Sequence, residues 1–544
     1  MTRSPALLPV HFTGARAAAG PLTFGQRNTL NWVVQEANES GAVLQWILTL
    51  PDGVTLADVA AAFEILLARH EALRTTFVDG EQRVADQGVL SIEIHQDATV
   101  EQLAERLRVD GVSYVSGLPL RVAIGVTGEV PTAGVVLYSH MAVDFGSVAQ
   151  LGREFVELTT DRAAGDVGTA RHQPLDQAAL ERSPRGQKSA EAALRYWESH
   201  LRTAPQSLYP VPPPDEPIEE LRTAVLVSPA AGQALGRISA RTRMGRPVIL
   251  LAAVCAVLAW RTGLSRCVFA SVSGNRFRLR LREYVGTLAQ DGLLALDVDG
   301  PTFDTVVARA AKATLAANNN SMFDAAKLWR LIEEVCHERG TAFTRDFSIN
   351  DLSTHLDEVD FSEVIAPTEL HWMPSDHYPI VLMCNPARLA PELMLALTAN
   401  LRYVSVGETE ALLHGVERLL IAAGGGDVPL DQVGAVSGVP PVERDDDWLL
   451  VDGCWVRLSA VRQLLADAVQ GPTWVSANGV VGYLTVGSPE QAHAACMARL
   501  AEPGHHVAMA PRYYVVCDGA PKDEADWHKQ PVRAEGSGRV KREV

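Results

Sequence analysis

Gly134-Val-Val-Leu-Tyr138 runs directly into Ser139-His140-Met141-Ala142-Val143-Asp144-Phe145-Gly146. Val135 to Tyr138 is a short continuous apolar run with β-branched and aromatic members, which predicts a strand covered on both faces. After Gly146 the residues Val148, Leu151, Phe155 and Leu158 recur at spacings of three and four, the period of one helix face. His140 therefore falls in a strand-to-helix turn, where rigid flanking elements can hold a side chain toward a cavity, and such turns commonly carry chemistry. An imidazole placed there can take a proton from an amine or hydroxyl, a contribution typically worth about 10² to 10⁴ in rate. Two roles are open to Asp144: it orients the imidazole, or it turns away into a buried ion pair that fixes the loop. An isolated H-x-x-x-D is a common accident, so the rest of the chain has to agree.

Arg69-His70-Glu71-Ala72-Leu73-Arg74-Thr75-Thr76-Phe77 closes a helix whose apolar positions Leu56, Val59, Phe63 and Leu66 follow the helical period. It resembles the RHEALRT.F motif of condensation domains from nonribosomal peptide synthetases. Further matches follow in family order: Leu22-Thr-Phe-Gly-Gln26, Tyr196-Trp197, Gly274-Asn275-Arg276, Tyr284-Val285-Gly286 with Leu293-Leu294, Phe347-Ser-Ile-Asn350 and His377-Tyr-Pro379. The resemblance spans residues 20 to 437. It implies an α/β protein with the two-lobed chloramphenicol acetyltransferase-like condensation fold, the lobes meeting at a cleft with the histidine at its floor.

On that resemblance His140 aligns with the catalytic second histidine of the HHxxxDG motif, and Asp144 with its aspartate. Ser139 stands where the family has its first histidine, a position that mainly supports the loop, and Phe145 stands where it has glycine. Glycine serves where backbone approaches closely or takes positive φ, so a phenyl ring must fill space or strain the turn. Either the loop has shifted so that Gly146 does that work, or the channel is narrower here. The base and its carboxylate are both kept, which predicts retained activity. Arg276 has two readings, a partner for Asp144, as the resemblance implies, or a surface or carrier-facing arginine. Arg69 and Arg74, at a helix end where cations favour the dipole, are expected to be structural. Asn350 and His377 are candidates for lining the acceptor side of the channel, against the plainer reading of satisfied buried polar groups.

The last hundred residues carry a second resemblance. Val451-Asp-Gly-Cys-Trp-Val-Arg-Leu-Ser-Ala-Val461 is similar to the segment that opens the small C-terminal subdomain of adenylation domains. Met509-Ala-Pro511, Tyr513-Tyr-Val-Val516 and Gly536-Ser-Gly-Arg539-Val-Lys541-Arg542 are similar to that subdomain's end. Arg539 occupies the position of the family's catalytic lysine, and an arginine keeps the charge without the compact ammonium head. The large adenylation core and any phosphate loop ending in lysine are missing from the sequence. The tail is therefore expected to pack on the preceding region or help recognise a carrier, not to activate substrates with ATP.

Punctuation gives the organisation. Residues 1–20 are small, polar and Gly-rich and read as a flexible arm. The Pro-rich stretch Thr203 to Pro217 cannot continue a helix or central strand and reads as a connector between lobes at 21–200 and 201–437. A break at Ala422-Ala-Gly-Gly-Gly-Asp-Val-Pro429 follows a helix from Glu408 to Leu420. A small α/β domain at 445–544 completes the chain.

Composition narrows the partners. The 544 residues exceed a single core, 47% hydrophobic and 21% charged content is ordinary for a globular protein, and the net charge is −17. That balance argues against a nucleic-acid backbone or an anionic membrane, which need a basic face. One dense basic run, Arg276, Arg278, Arg280 and Arg282, is either a solvated edge or a patch for an acidic carrier protein. Seven dispersed cysteines without metal spacing, Cys336-His337 among them, predict a reduced, cytoplasmic protein. His505-His506 lacks a third ligand nearby, so no metal is expected. No signal peptide is expected from Met1-Thr-Arg-Ser-Pro5, and the apolar segment Val248 to Trp260 is too short to span a bilayer.

The function expected is condensation-type acyl transfer. A carrier-protein-bound acyl or aminoacyl thioester, delivered on a phosphopantetheine arm, meets an amine or hydroxyl nucleophile to give an amide or ester in natural-product biosynthesis. No bound cofactor is expected. The chain has no G-G-x-S carrier motif, so the thioester arrives on another protein or on coenzyme A. Two rivals stand beside this: a coenzyme A-dependent acyltransferase of the same fold, and a catalytically silent docking module.

Overall fold

The structure, a computed structural model, describes residues 5–36, 43–113, 115–161, 172–212, 214, 216–353, 367–375, 381–502 and 504–539. The chain divides into two compact units: residues 1–193, 273–290 and 321–327 form the first, and 194–272, 291–320 and 328–544 the second.

The first unit is built on a five-stranded sheet in the order Ala6–Thr13, Gln87–Gln96, Leu120–Thr127, Val130–Ser139, Val43–Ile47. Val130–Ser139 is the strand predicted from Val135 to Tyr138, and it is antiparallel to both neighbours. Continuous apolar character is needed because helices cover both sheet faces. Val136 and Tyr138 join a core with Phe63 and Leu66 of helix Leu56–Arg69 and with Val148, Leu151 and Phe155 of helix Phe145–Thr160. Val135 and Leu137 face Leu103 and Leu107 of helix Val100–Asp110.

Of the flexible arm expected at residues 1–20, the segments 6–13 and 18–20 are instead strands of the fold. Ala6–Thr13 pairs with Gln87–Gln96 from Ala6 opposite Ile94 to Thr13 opposite Gln87, and Ala18–Pro21 pairs with Glu81–Val84. Val10 and Phe12 are buried while His11 between them is exposed. That period-two alternation was present in the sequence and outweighs the segment's average polarity.

The second unit holds a seven-stranded mixed sheet, ordered Gln290–Asp297, Arg266–Ser273, Phe347–Ile349, Leu382–Arg388, Leu393–Asn400, Leu221–Ser228, Glu369–Pro374. Against it lies helix Arg246–Thr262, which carries the apolar run Val248 to Trp260 as a core helix. Among the described residues no single helix is long and apolar enough to cross a membrane.

The Pro-rich stretch lies within the second unit. Residues 204–211 are buried, and Asp346 holds them by accepting from the N–H groups of Leu208 (3.0 Å) and Tyr209 (2.9 Å) and from Ser207 Oγ. Prolines exclude regular structure there, but a buried carboxylate satisfies the backbone that helix or sheet would have paired. The helix expected to stop at Leu420 runs Val406–Gly425. Arg241 and Arg237 donate to the carbonyls of Ala423 (2.7 Å) and Gly424 (3.2 Å), so tertiary contacts override the low helix propensity of glycine.

Residues 448–536 contribute the hairpin Trp448–Val451 with Cys454–Arg457 and a sheet ordered Thr473–Ser476, Val481–Leu484, Tyr513–Cys517, Val532–Gly536. Gln206 donates to the carbonyls of His506 (3.1 Å) and Ala508 (2.7 Å), and the Ala510 N–H donates to Gly340 O (2.8 Å). The tail thus packs on the rest of the second unit.

Candidate active site

The strand Val130–Ser139 ends where the chain must turn, and Ser139 makes the turn. Its carbonyl accepts from the N–H groups of Ala142 (3.0 Å) and Val143 (3.2 Å), and its Oγ accepts from the Met141 N–H (3.3 Å). Met141, Ala142 and Val143 are at most 1% exposed, so three consecutive side chains sink into the core and leave His140 half-buried at its rim. Ser139 thus uses its short side chain to bond its own loop.

Asp144 resolves the choice left open by the sequence. It is the N-cap of helix Phe145–Thr160 and accepts from Ser147 N–H at 2.9 Å, as an N-terminal carboxylate should. Arg276 binds it bidentately, Nη2 to Oδ1 at 2.6 Å and Nη1 to Oδ2 at 2.8 Å. The N–H groups of Leu288 (2.9 Å) and Ala289 (3.0 Å) complete the set on Oδ2. Burial acts to raise this carboxyl, but the charge and hydrogen bonds of Arg276, with the Leu288 and Ser147 N–H groups, outweigh it and hold the pKa at about 2. Asp144 is therefore an anionic clamp on Arg276 and not the partner that orients the imidazole.

Residues 284–289 close over the loop from the other side. Thr287 Oγ1 donates to the carbonyl of His140 (2.7 Å) and lies 3.2 Å from that of Met141. Ser147 Oγ lies 2.8 Å from Gly286 O and accepts from the Gly286 N–H (2.9 Å) and from Arg276 Nη2 (2.7 Å). Gly25, from the Leu22-Thr-Phe-Gly-Gln26 match, lies so close to this segment that a Cβ would stand 2.3 Å from Thr287 O.

The glycine question at Phe145 has a geometric answer. Phe145 is the first residue of the helix, and its ring meets Trp46 edge-on at 6.1 Å between centroids. The close approach falls one residue later. A Cβ on Gly146 would stand 2.8 Å from Arg276 Nη1, so the guanidinium passes over Gly146 and needs it bare.

The RHEALRT match is scaffold. Arg69 Nη1 (2.6 Å) and His70 Nε2 (2.9 Å) both meet Glu154 Oε2 on the helix that Asp144 caps. Burial works to raise Glu154, but its bonds to His70, Gln150 and Arg69 hold it at about 2. Arg74 is buried and donates to the carbonyls of Leu67 (3.1 Å), Arg16 (3.0 Å) and Ala85. Sequence reasoning missed Ser147, Thr287 and Glu154. The Asp144-x-x-Ser147 spacing is an N-cap signal that could have found the first; nothing local marks the other two.

Asn350 belongs to the second unit, where it follows strand Phe347–Ile349 and its N–H donates to Cys384 O at 2.9 Å. His377 lies outside the described residues. Arg539 is in the tail, with Nε and Nη2 buried and without hydrogen-bond partners among the described residues. Among the described residues no group of His, Cys, Asp and Glu is arranged to hold a metal.

A condensation-domain family model matches residues 18–371, more than half of the sequence. The chain belongs to the condensation-domain family. CymA, a probable non-canonical nonribosomal peptide synthetase of Salinispora arenicola, is 26% identical over 319 residues, 55% of this chain and 4% of that protein. Malpibaldin synthetase of Mortierella alpina is 25% identical over 291 residues, 50% of this chain and 5% of the synthetase. The condensation domain thus spans only a small part of the length of the curated relatives it matches. In fold it is similar to the condensation domain of the Monacolin K polyketide synthase MokA, with TM-score 0.59, 18% identity and coverage of 78% of this chain and 100% of that one. The X-domain from teicoplanin biosynthesis has TM-score 0.58 at 20% identity, covering 77% and 98%. These likenesses establish the α/β condensation fold.

Proposed function

We propose that this condensation domain joins an acyl or aminoacyl thioester, borne by the phosphopantetheine arm of a carrier protein, to an amine or hydroxyl nucleophile. The observation that carries the reading is the fixed backbone around a half-buried imidazole. The core residues 141–143, the Thr287 bond to His140 O and the Asp144–Arg276 clamp together hold the loop through its backbone and flanking residues. His140 accepts the nucleophile's proton as the new C–N or C–O bond forms. The C–S bond then breaks and the proton passes to the departing thiolate. The N–H of Gly146, in the helix's first turn where amides lack an intrahelical acceptor, steadies the oxyanion. Holding both reactants in one channel supplies much of the rest, since effective molarities reach about 10⁵ M or more.

Phe145 supports the rival reading of a silent docking module, because it places a large ring beside the loop where the family has glycine. Incubation with acyl-loaded carrier, acyl-coenzyme A and candidate nucleophiles, followed by product mass, separates the readings. The expected outcome is carrier-dependent product that falls by about 10² to 10⁴ in His140→Ala. Turnover that survives the alanine change refutes the base. Turnover from acyl-coenzyme A alone transfers the assignment to the coenzyme A-dependent class, and no turnover from any donor favours the silent module. Phe145→Gly widens the accepted donors if the ring narrows the channel; an unchanged range excludes that role.

A further inference from the structure

Between Arg276, which clamps Asp144, and Tyr284 to Ala289, which close over the His140 loop, the chain leaves the core and returns. Leu281 anchors the excursion, fully buried with Tyr284 and Leu288. The residues on either side of it face water. Phe277 is 48% exposed and Leu279 is 79% exposed, while Arg278, Arg280 and Arg282 are exposed around them. Among the described residues these three arginines form no ion pair, and Glu283 is the one carboxylate in the run. Arg185, also exposed, lies close enough that it and Arg278 both act with burial to lower the pKa of Arg280. Three arginines that form no ion pair among the described residues are thus gathered around two apolar side chains, in a molecule whose net charge is −17.

Single exposed hydrophobics are ordinary, but a leucine and a phenylalanine two residues apart, ringed by unpaired arginines, have the make-up of an interface with an apolar centre and charged rim. We propose that residues 277–282 dock the acidic surface of the carrier protein that delivers the thioester. The inference rests on the function proposed above and adds to it the surface used. Charge decides the occupant: the molecule's acidic excess repels an acidic partner elsewhere, and this island attracts it. The excursion's two ends are the same residues that hold the His140 loop, so a partner seated here rests on the site's own framework. A nucleic acid or an anionic membrane requires a broader basic face than one short run supplies.

The test compares an acyl-loaded carrier with the same acyl group on free pantetheine, using the full chain. Arg278→Glu/Arg280→Glu/Arg282→Glu is expected to raise KM for the carrier-borne donor about tenfold, and to remove its dependence on salt. Both constants for the pantetheine thioester should stay within about twofold, because the substituted side chains are exposed. Phe277→Ser/Leu279→Ser should raise the same KM while keeping the salt dependence. An unchanged carrier KM in both variants overturns the inference alone, as does an equal loss on the pantetheine thioester. Wild-type binding to phosphatidylserine vesicles that the triple variant loses, with carrier KM unchanged, assigns the patch to a membrane and also overturns it. Absence of turnover from every carrier refutes the proposed function, and the docking surface falls with it.

Discussion

Arg276 and Arg539 are both drawn largely out of water, and what surrounds them differs. The terminal nitrogens of Arg276 meet Asp144, Ser147 Oγ and the carbonyls of Gly274, Tyr284 and Gly286. Among the described residues, Arg539 leaves both Nε and Nη2 buried without a partner where Arg276 leaves Nε alone, and burial lowers the pKa of Arg539. The first arginine ties a helix N-terminus, a strand-end loop and residues 284–289 into one network. The second contributes packing beside Gly340, where a Cβ would stand 2.8 Å from its Nη2. A buried charge stiffens a site only when its counter-charge and hydrogen bonds are supplied with it; otherwise desolvation is a net cost. The two surroundings separate a charge-paired, hydrogen-bonded framework around the His140 loop from a tail position that holds a cation mainly by packing.

Removing Arg276 should break this contrast most severely. Arg276→Ala leaves Asp144 buried and unpaired, and the expected loss is about 3–5 kcal/mol of stability by urea denaturation. Combining it with Asp144→Asn should restore part of that loss, since the stranded charge is gone; an additive result would mean the two do not act as a pair. Gly146→Ala places a methyl against the guanidinium and should cost about 1–3 kcal/mol, with a drop in turnover larger than that of an alanine elsewhere on the same helix. Full stability and activity in this variant would show that the guanidinium can move aside. Acid provides a third probe. The folded pKa of Asp144, about 2, lies below its ordinary value of 3.8, so its contribution of about 2 kcal/mol is present above pH 4 and fades as pH falls toward 2. The difference between wild type and Asp144→Asn in thermal midpoint should shrink across that interval.

These features were legible in the sequence to unequal degrees. The strand before His140 and the helix after it were readable because a continuous apolar run and a three-four spacing each describe one element. Asp144 was singled out, but its role was not decided, because choosing between imidazole and guanidinium depends on Arg276, 132 positions away. Gly146 emerged as the bare position only once the guanidinium path was known. Thr287 and Glu154 carried no local signal at all: a threonine donating to a carbonyl and a glutamate shared by an arginine and a histidine are set by tertiary approach. The strand Ala6–Thr13 was hidden for another reason, since averaging composition over twenty residues erased the alternation of Val10, His11 and Phe12.

The smallest expected effect is at the tail, where it is also the most diagnostic. Arg539→Met keeps much of the side chain's bulk and removes a charge that burial disfavours, so stability at pH 7 should change by no more than about 1 kcal/mol, in either direction. The neighbouring His493 sharpens the test. Burial, together with the nearby His337 and Arg539, lowers its pKa to about 4, against the bond to His337 O that works to raise it. A folded value below the ordinary 6.5 means the unfolded chain takes up a proton that the folded chain refuses. Stability therefore declines as pH falls from 6.5 through 4. Removing the Arg539 charge lifts one of the causes of that depression, so denaturation midpoints for Arg539→Met should decline less steeply over the same range. A loss of several kcal/mol at pH 7 would reverse the comparison, because it would mean that the tail's cation is held as firmly as the one beneath His140.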